Sequence, residues 1–286
     1  MARAQDLSAY PFYRERMAGD GQPRPWGLAD LEDFAAGNSS DPFAGRVRNG
    51  IVPKFALQLE ATEDPAIWIA LEPPELDRWA GVIERMWKRW GTSPGETIAF
   101  FEYGSSPIVL LASSGYVGYL RRGAADRLGL TSICNDGVAA MAGRMVAIVE
   151  TLKPSMLIIR RDLAVPLSMA LEAAGVSLAD RVRWVAISEV EGAISRAEAE
   201  QLSERLGVPV WRILRSDAVF LVAGECPVCR AFHLDSVYSA ESLAAGDVAI
   251  TTRFALVCPA IRFDIGTATL LRGGCALEPR TQRLEC

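Results

Sequence analysis

Residues 153–214, KPSMLIIRRDLAVPLSMALEAAGVSLADRVRWVAISEVEGAISRAEAEQLSERLGVPVWRIL, decide the fold. Lys153-Pro154 stops a helical pattern that runs from Asp136 to Leu152, and Met156 to Ile159 is an unbroken apolar run of strand length. Val165 to Ala174 returns to apolar spacings of three and four and stops at Gly175. Arg183 to Ile187 reads as a second strand, Ser195 to Leu206 as a helix stopped at Gly207, and Val208 to Leu214 as a third strand. Strands and helices in turn imply right-handed crossovers, and apolar strands without alternation imply a largely parallel sheet covered on both faces. The class is therefore α/β.

Working outward, Trp79, Ile83, Met86, Trp87 and Trp90 place an amphipathic helix from Leu76 onward, with Gly91 where a left-handed cap belongs. Thr97 to Phe101 is a strand, followed by a small-residue stretch from Gly104 to Gly118 that leads towards Gly123 and Leu130. The first fifty residues are rich in Gly, Pro, Asp and Arg. They carry a short helix from Leu28 to Phe34 and a loop from Gly37 to Pro42, and are expected to wrap the main body. After Ser216-Asp217 the character changes. Short strands at Phe220 to Ala223, Asp247 to Arg253 and Thr269 to Leu271 are separated by Cys, Gly and Pro turns. The expected organisation is a wrapping segment over 1–50, an α/β core over 51–217 and a β-rich appendage over 218–286.

A chain of 286 residues, half of them apolar, can bury a large core without disulfides. A net charge of -5 with no basic run argues against nucleic acid or an anionic membrane as partner. Met1 to Tyr13 lacks the apolar core of a signal peptide, and no run of ~18 uncharged apolar residues occurs, so a cytoplasmic location is expected. Six cysteines are sparse for this length and would persist there as thiols or metal ligands.

Cys226-Pro227-Val228-Cys229 followed by His233 gives C-x-x-C-x-x-x-H around the sole histidine. Two thiolates with two residues between them fit adjacent corners of a zinc tetrahedron. Buried thiols beside a surface histidine, or a redox pair, are the alternatives. A redox pair normally opens a helix, whereas Gly224-Glu225 before and Arg230-Ala231 after suggest a β-turn. A fourth ligand would close the site and make it structural, and Cys258 and Cys275 are the candidates.

Tyr10-Pro11-Phe12-Tyr13-Arg14-Glu15-Arg16 is followed by Leu28-Ala29-Asp30-Leu31-Glu32, then by Gly91 to Gly95 before a strand, Tyr103-Gly104, and Gly123 to Gly129. Lys153-Pro154 precedes another strand, Arg196 follows Glu189 by seven residues, and Pro259-Ala260-Ile261-Arg262-Phe263-Asp264-Ile265-Gly266 comes late in the chain. In order and approximate spacing, these phrases resemble the phenylacetate–CoA ligase-like and coenzyme F390 synthetase-like branch of the adenylate-forming superfamily over nearly the whole chain. The resemblance implies an α/β amino-terminal domain; with the strand pattern and the Cys/His spacing, the expected fold has largely parallel sheets flanked by helices and ends in a small β-rich, zinc-braced portion. In the family a mobile carboxy-terminal domain with a catalytic lysine follows. Pro279-Arg280 resembles the junction to it, so that domain is expected to be absent. Cysteines at corresponding places in some members make Cys275 the preferred fourth ligand, ahead of Cys258.

Residue by residue, the resemblance sets the family's phosphate-binding loop on Leu59-Glu60-Ala61-Thr62-Glu63-Asp64-Pro65. That stretch has no glycine or lysine and three carboxylates, so ATP and magnesium are not expected as cofactors. The family's Tyr-Gly-x-Ser/Thr-Glu motif falls on Ile213 to Asp217, where Ser216 and Asp217 keep a hydroxyl and a shortened carboxylate. The ribose-binding aspartate falls on Thr267. Asp264 and Arg262 are expected to pair with each other or hold a turn. Tyr103, Gly104 and Glu189 match positions that flank the carboxylate substrate.

The expectation is thus a degenerate adenylate-forming-fold protein, unable to form acyl-adenylates with ATP. It would keep an aryl or acyl carboxylate pocket, with Tyr103, Gly104, Glu189, Ser216 and Asp217 as substrate-binding residues, or act as a subunit for a protein partner or a second copy. The alternative is a divergent ATP-dependent acyl- or aryl-CoA ligase whose lysine domain comes from another chain; any enzyme activity would be of that acid-activating kind. A reaction without ATP would have to recruit Cys134, Asp217 or Glu189, and their spacing gives no triad.

Overall fold

The computed structural model describes residues 6–19, 21–113, 122–244, 246–271 and 273–286. The end of the small-residue stretch, from 114 to Gly118, and the side chain of Thr267 lie outside the described residues. In chain order the elements are α1 (Pro11–Arg16), α2 (Leu28–Gly37), β1 (Phe55–Gln58), β2 (Trp68–Leu71), α3 (Pro73–Arg89), β3 (Thr97–Phe101), α4 (Pro107–Ala112), α5 (Ala124–Arg127), β4 (Thr131–Asn135), α6 (Ala142–Leu152), β5 (Met156–Arg160), α7 (Arg161–Ala174), β6 (Trp184–Ser188), β7 (Glu191–Gly192), α8 (Arg196–Leu206), β8 (Val210–Ser216), β9 (Leu221–Gly224), β10 (Phe232–His233), β11 (Tyr238–Ser242), β12 (Asp247–Thr252), β13 (Ala260–Thr267), β14 (Thr269–Leu271) and β15 (Arg283–Glu285). They form two compact units: Met1–Arg78 with Ser216–Leu221 and His233–Cys286, and Trp79–Arg215 with Val222–Phe232.

The second unit carries the main sheet, ordered β4-β3-β5-β6-β8-β7 with β9 beside β8. From β4 through β8 the pairings are parallel. Alternate residues point to opposite faces, and both faces are buried. Ala99, Phe101, Leu157, Ile159, Val185 and Ile187 pack under α6, α7 and α8, against Met145, Val149, Leu167 and Leu202. On the opposite parity, Phe100 meets Trp87 of α3 at 5.9 Å between ring centroids, and Trp184 meets Trp90 edge-on at 5.1 Å. This two-sided burial is why the strands read as continuous apolar runs, each fully buried Leu or Ile contributing ~1.5–3 kcal/mol. Helix α7 starts at Arg161, a turn earlier than the sequence suggests. Leu163 and Ala164 are already buried there, and Pro166 forgoes only the bond to the Asp162 carbonyl.

In the other unit, β1 and β2 form an antiparallel hairpin with Phe55 opposite Leu71 and Gln58 opposite Trp68. Strands β11-β12-β13 make a three-stranded antiparallel sheet, and β10-β15-β14 a second small one. The amino-terminal segment is tied to β13: the Tyr13 hydroxyl donates to the Pro259 carbonyl at 2.8 Å, the Trp26 indole donates to that of Ile261 at 2.6 Å, and the Trp26 and Phe263 rings meet edge-on. Arg262 does not pair with Asp264. Its guanidinium bonds Glu241 at 2.6 Å and the Pro23 carbonyl at 2.9 Å, while Asp264 accepts the Gly266 amide and so holds a turn. Among the described residues no helix is long and apolar enough to cross a membrane.

Candidate functional site

Four parallel strands end on charged or polar residues at one edge of the main sheet: Phe101 is followed by Glu102, β5 ends on Arg160, β6 on Ser188, and β8 passes Arg215 to end on Ser216. The chain leaves β3 towards β4 on one side and returns to β5 on the other. The order is that of a doubly wound sheet whose switch point lies between the carboxyl ends of β3 and β5, where such sheets bind ligands. A cleft of about 420 Å³ opens there, lined among others by Glu102, Arg160, Arg161, Ser188, Glu189 and Arg215.

The Glu102 carboxylate is buried between two guanidinium groups, with Arg160 and Arg215 each 3.7 Å from it, and Arg215 also donates to the Ser188 hydroxyl at 3.2 Å. Tyr103 does not line the cleft; Arg160 stacks 3.9 Å above its ring centroid. Glu189 stands in the cleft wall, and its carboxylate is taken by Arg161 at 3.0 Å. Arg161 also grips Glu198 at 2.8 Å. The hydrogen bonds that Arg161 donates to Glu198 and then to Glu189 hold its pKa above the ordinary range. Asp162 pairs with Arg160 at 3.0 Å. Every carboxylate of the cleft is therefore engaged with an arginine.

Ser216 and Asp217 follow at the end of β8 and the start of a 3-10 turn, both buried, and the Asp217 carbonyl accepts the Phe220 amide. Gly104 lies with Asp136 in a smaller pocket beside the end of β4. Glu102, Arg160, Ser188 and Arg215 were not singled out from sequence. The available signal was positional, a charged or polar residue directly after an apolar strand run.

The Cys/His group is built from two turns. Cys226 donates its amide to the Ala231 carbonyl at 2.8 Å and accepts the Arg230 amide on its own carbonyl at 3.0 Å, closing a turn in which Arg230 takes φ +58°. The Val228 amide points at the Cys226 sulfur, 3.4 Å away. No helix starts there, which separates the motif from a redox pair. Cys275 and Glu278 exchange backbone hydrogen bonds across a second turn, preceded by Gly274, where a Cβ would run into the Pro279 carbonyl. Glu278 then reaches His233, its Oε2 lying 2.8 Å from Nδ1. A proton on Nδ1 leaves the Nε2 lone pair for a metal. The ligand atoms of Cys226, Cys229, His233 and Cys275 lie within 4.8 Å of one another, so Cys275 rather than Cys258 completes the set. Three thiols and one imidazole so spaced fit one tetrahedral ion with bonds of ~2.0–2.3 Å. The sequence carried no sign of Glu278.

No family model matches the chain, and no curated protein sequence matches it. Solved structures do. An open conformation of 2-hydroxyisobutyryl-CoA ligase in complex with 2-HIB-AMP and CoA superposes with a TM-score of 0.74 at 16% identity, over 97% of this chain and 69% of that one. The same ligase in the thioesterification state gives 0.75 at 15% identity, over 97% and 63%. The fold is the adenylate-forming one. An anthranilate CoA ligase in complex with anthranoyl-AMP is more distant, with a TM-score of 0.50 at 12% identity over 70% of this chain and 39% of that one. The chain thus spans between 39% and 69% of the length of these adenylate-forming ligases.

Proposed function

We propose that this adenylate-forming fold belongs to the phenylacetate–CoA ligase-like branch, no longer makes acyl-adenylates, and binds a small aryl or acyl carboxylate in the cleft at the carboxyl ends of β3, β5, β6 and β8. One observation carries the reading. Where the resemblance sets the phosphate-binding loop, residues 59–67 close on themselves: the Leu59 amide donates to the Ile67 carbonyl at 2.8 Å, and the buried Thr62 hydroxyl accepts the Ile67 amide and donates to the Leu59 carbonyl. The loop's hydroxyl is turned inward, and Glu63 and Asp64 stand on its exposed side. A like-charged pair at ~4 Å costs on the order of 4 kcal/mol near a protein surface, so this loop repels a triphosphate where the family attracts one.

In the cleft, Arg160 and Arg215 supply guanidinium donors and Ser188 a hydroxyl, the groups a carboxylate needs. Arg161 is committed to Glu189 and Glu198 and serves as a wall. In the Cys226, Cys229, His233 and Cys275 set we propose zinc, which would brace the two turns and take no part in a reaction.

Calorimetry on the full chain tests the reading, using phenylacetate, benzoate and short acyl acids with and without ATP and magnesium. Acids are expected to bind without nucleotide, and Arg215→Gln to weaken them at least about tenfold, the loss of one charged hydrogen bond. Millimolar ATP is expected to show no heat. ATP-dependent pyrophosphate exchange would overturn the proposal in favour of a divergent ligase.

A further inference from the structure

On the other side of Glu102 lies a second pocket of about 240 Å³, at the ends of the paired strands β3 and β4 and lined by Glu102, Gly104, Cys134, Asn135, Asp136 and Arg144. Asn135 is the last residue of β4, opposite Phe101, and is 5% exposed. Its Nδ2 donates to the Asp136 carbonyl at 3.0 Å, which settles the amide's orientation because a carbonyl oxygen can only face the NH2 group. The Asn135 Oδ1 is then buried with no hydrogen-bond partner among the described residues, a cost of ~1–3 kcal/mol unless a ligand or water supplies a donor. The loop that holds it is pressed onto β3: the Gly137 amide donates to the Glu102 carbonyl at 3.2 Å, and a Cβ on Gly137 would stand 2.7 Å from the Glu102 Cα. The acceptor is preorganised, not incidental to a loose turn.

The charges around it select the ligand. Glu102 is already compensated by Arg160 and Arg215, which leaves one exposed anion, Asp136, and one exposed cation, Arg144. A simple anion would meet Asp136 and an acceptor unable to donate. A metal ion or simple amine would meet Arg144. A group carrying both charges satisfies all three. We propose that this pocket binds a small amino-carboxylate, its ammonium on Asn135 Oδ1 and Asp136 and its carboxylate on Arg144. The site shares only Glu102 with the carboxylate cleft and does not rest on the proposed function.

Calorimetry and thermal-shift measurements on the full chain with glycine and alanine test it, beside acetate, propionate and propylamine as single-charge controls. The amino acids are expected to bind and the controls to bind at least about tenfold more weakly, the loss of one charge-assisted contact. Asn135→Leu and Arg144→Gln should each weaken glycine by a similar factor. Arg144 is on the surface, so its variant keeps the test alive if Asn135→Leu does not fold. Equal binding of propylamine or acetate, no binding of either amino acid, or full affinity in the folded Arg144→Gln protein would overturn the assignment.

Discussion

The Glu225 carboxylate is wholly buried, 2.8 Å from the Arg230 guanidinium and 3.4 Å from that of the equally buried Arg212, and it also accepts the Arg212 backbone amide at 3.2 Å. Removing one member of such a group strands the rest in low dielectric. Glu225→Ala is expected to cost ~3–5 kcal/mol in urea unfolding, and an effect below ~1 kcal/mol would show that solvent reaches the pair. Glu278 acts through His233, so Glu278→Gln should lower metal affinity ~10–100-fold in a competition titration with a chromophoric chelator while the metal content at saturation stays the same. Glu75 gives a pH dependence. Burial raises its pKa above the ordinary 4.5, against the opposing hydrogen bonds from the amides of Leu256, Glu72 and Val257. A raised folded pKa means stability that is full below the unfolded value and lost as pH rises through the folded one. As pH rises above the ordinary 4.5 the wild type should therefore lose stability relative to Glu75→Gln; parallel curves would remove Glu75 from the account.

At the scale of elements, what a sequence shows best is where a helix begins and ends. Ser195 accepts the Glu198 amide at 3.1 Å and starts α8 where the spacing sets it, and Gly207 closes that helix in the left-handed region. Ser195→Ala should cost ~1 kcal/mol by thermal unfolding, with no change at the carboxylate cleft. Strands at the sheet's margin are harder to read. β4, Thr-Ser-Ile-Cys-Asn, is an edge strand with exposed and half-exposed positions, and neither an apolar run nor a clean alternation marks it. The hairpin β1–β2 escaped for a related reason: four-residue strands joined by an acidic loop carry too few positions for a period to register. The turn at Gly137 belongs here too, and Gly137→Ala, pushing backbone against backbone, should destabilise the protein by ~1–3 kcal/mol.

At the scale of the whole molecule, the zinc proposed for the Cys/His set would be part of the folding free energy, so stripping it with a chelator should lower the thermal midpoint by at least ~5 °C, at ~2–4 °C per kcal/mol for a large domain. An unchanged midpoint after verified metal loss would leave the Cys/His set as buried thiols. The α/β class, the succession of strands and helices from Met156 to Leu214 and the C-x-x-C-x-x-x-H spacing were all legible in the chain, because each depends on neighbours within about one turn or one strand. The Arg160–Glu102–Arg215 group, the Glu278–His233 contact, the choice of Cys275 over Cys258 and the inward-turned Thr62 were not. These join positions from a few residues to more than a hundred apart, and charge pairing at such separations leaves no periodic trace in composition. Local periodicity fixed by backbone geometry determined the elements; which ends of them meet, and with what charge, was decided by the order in which the sheet is wound.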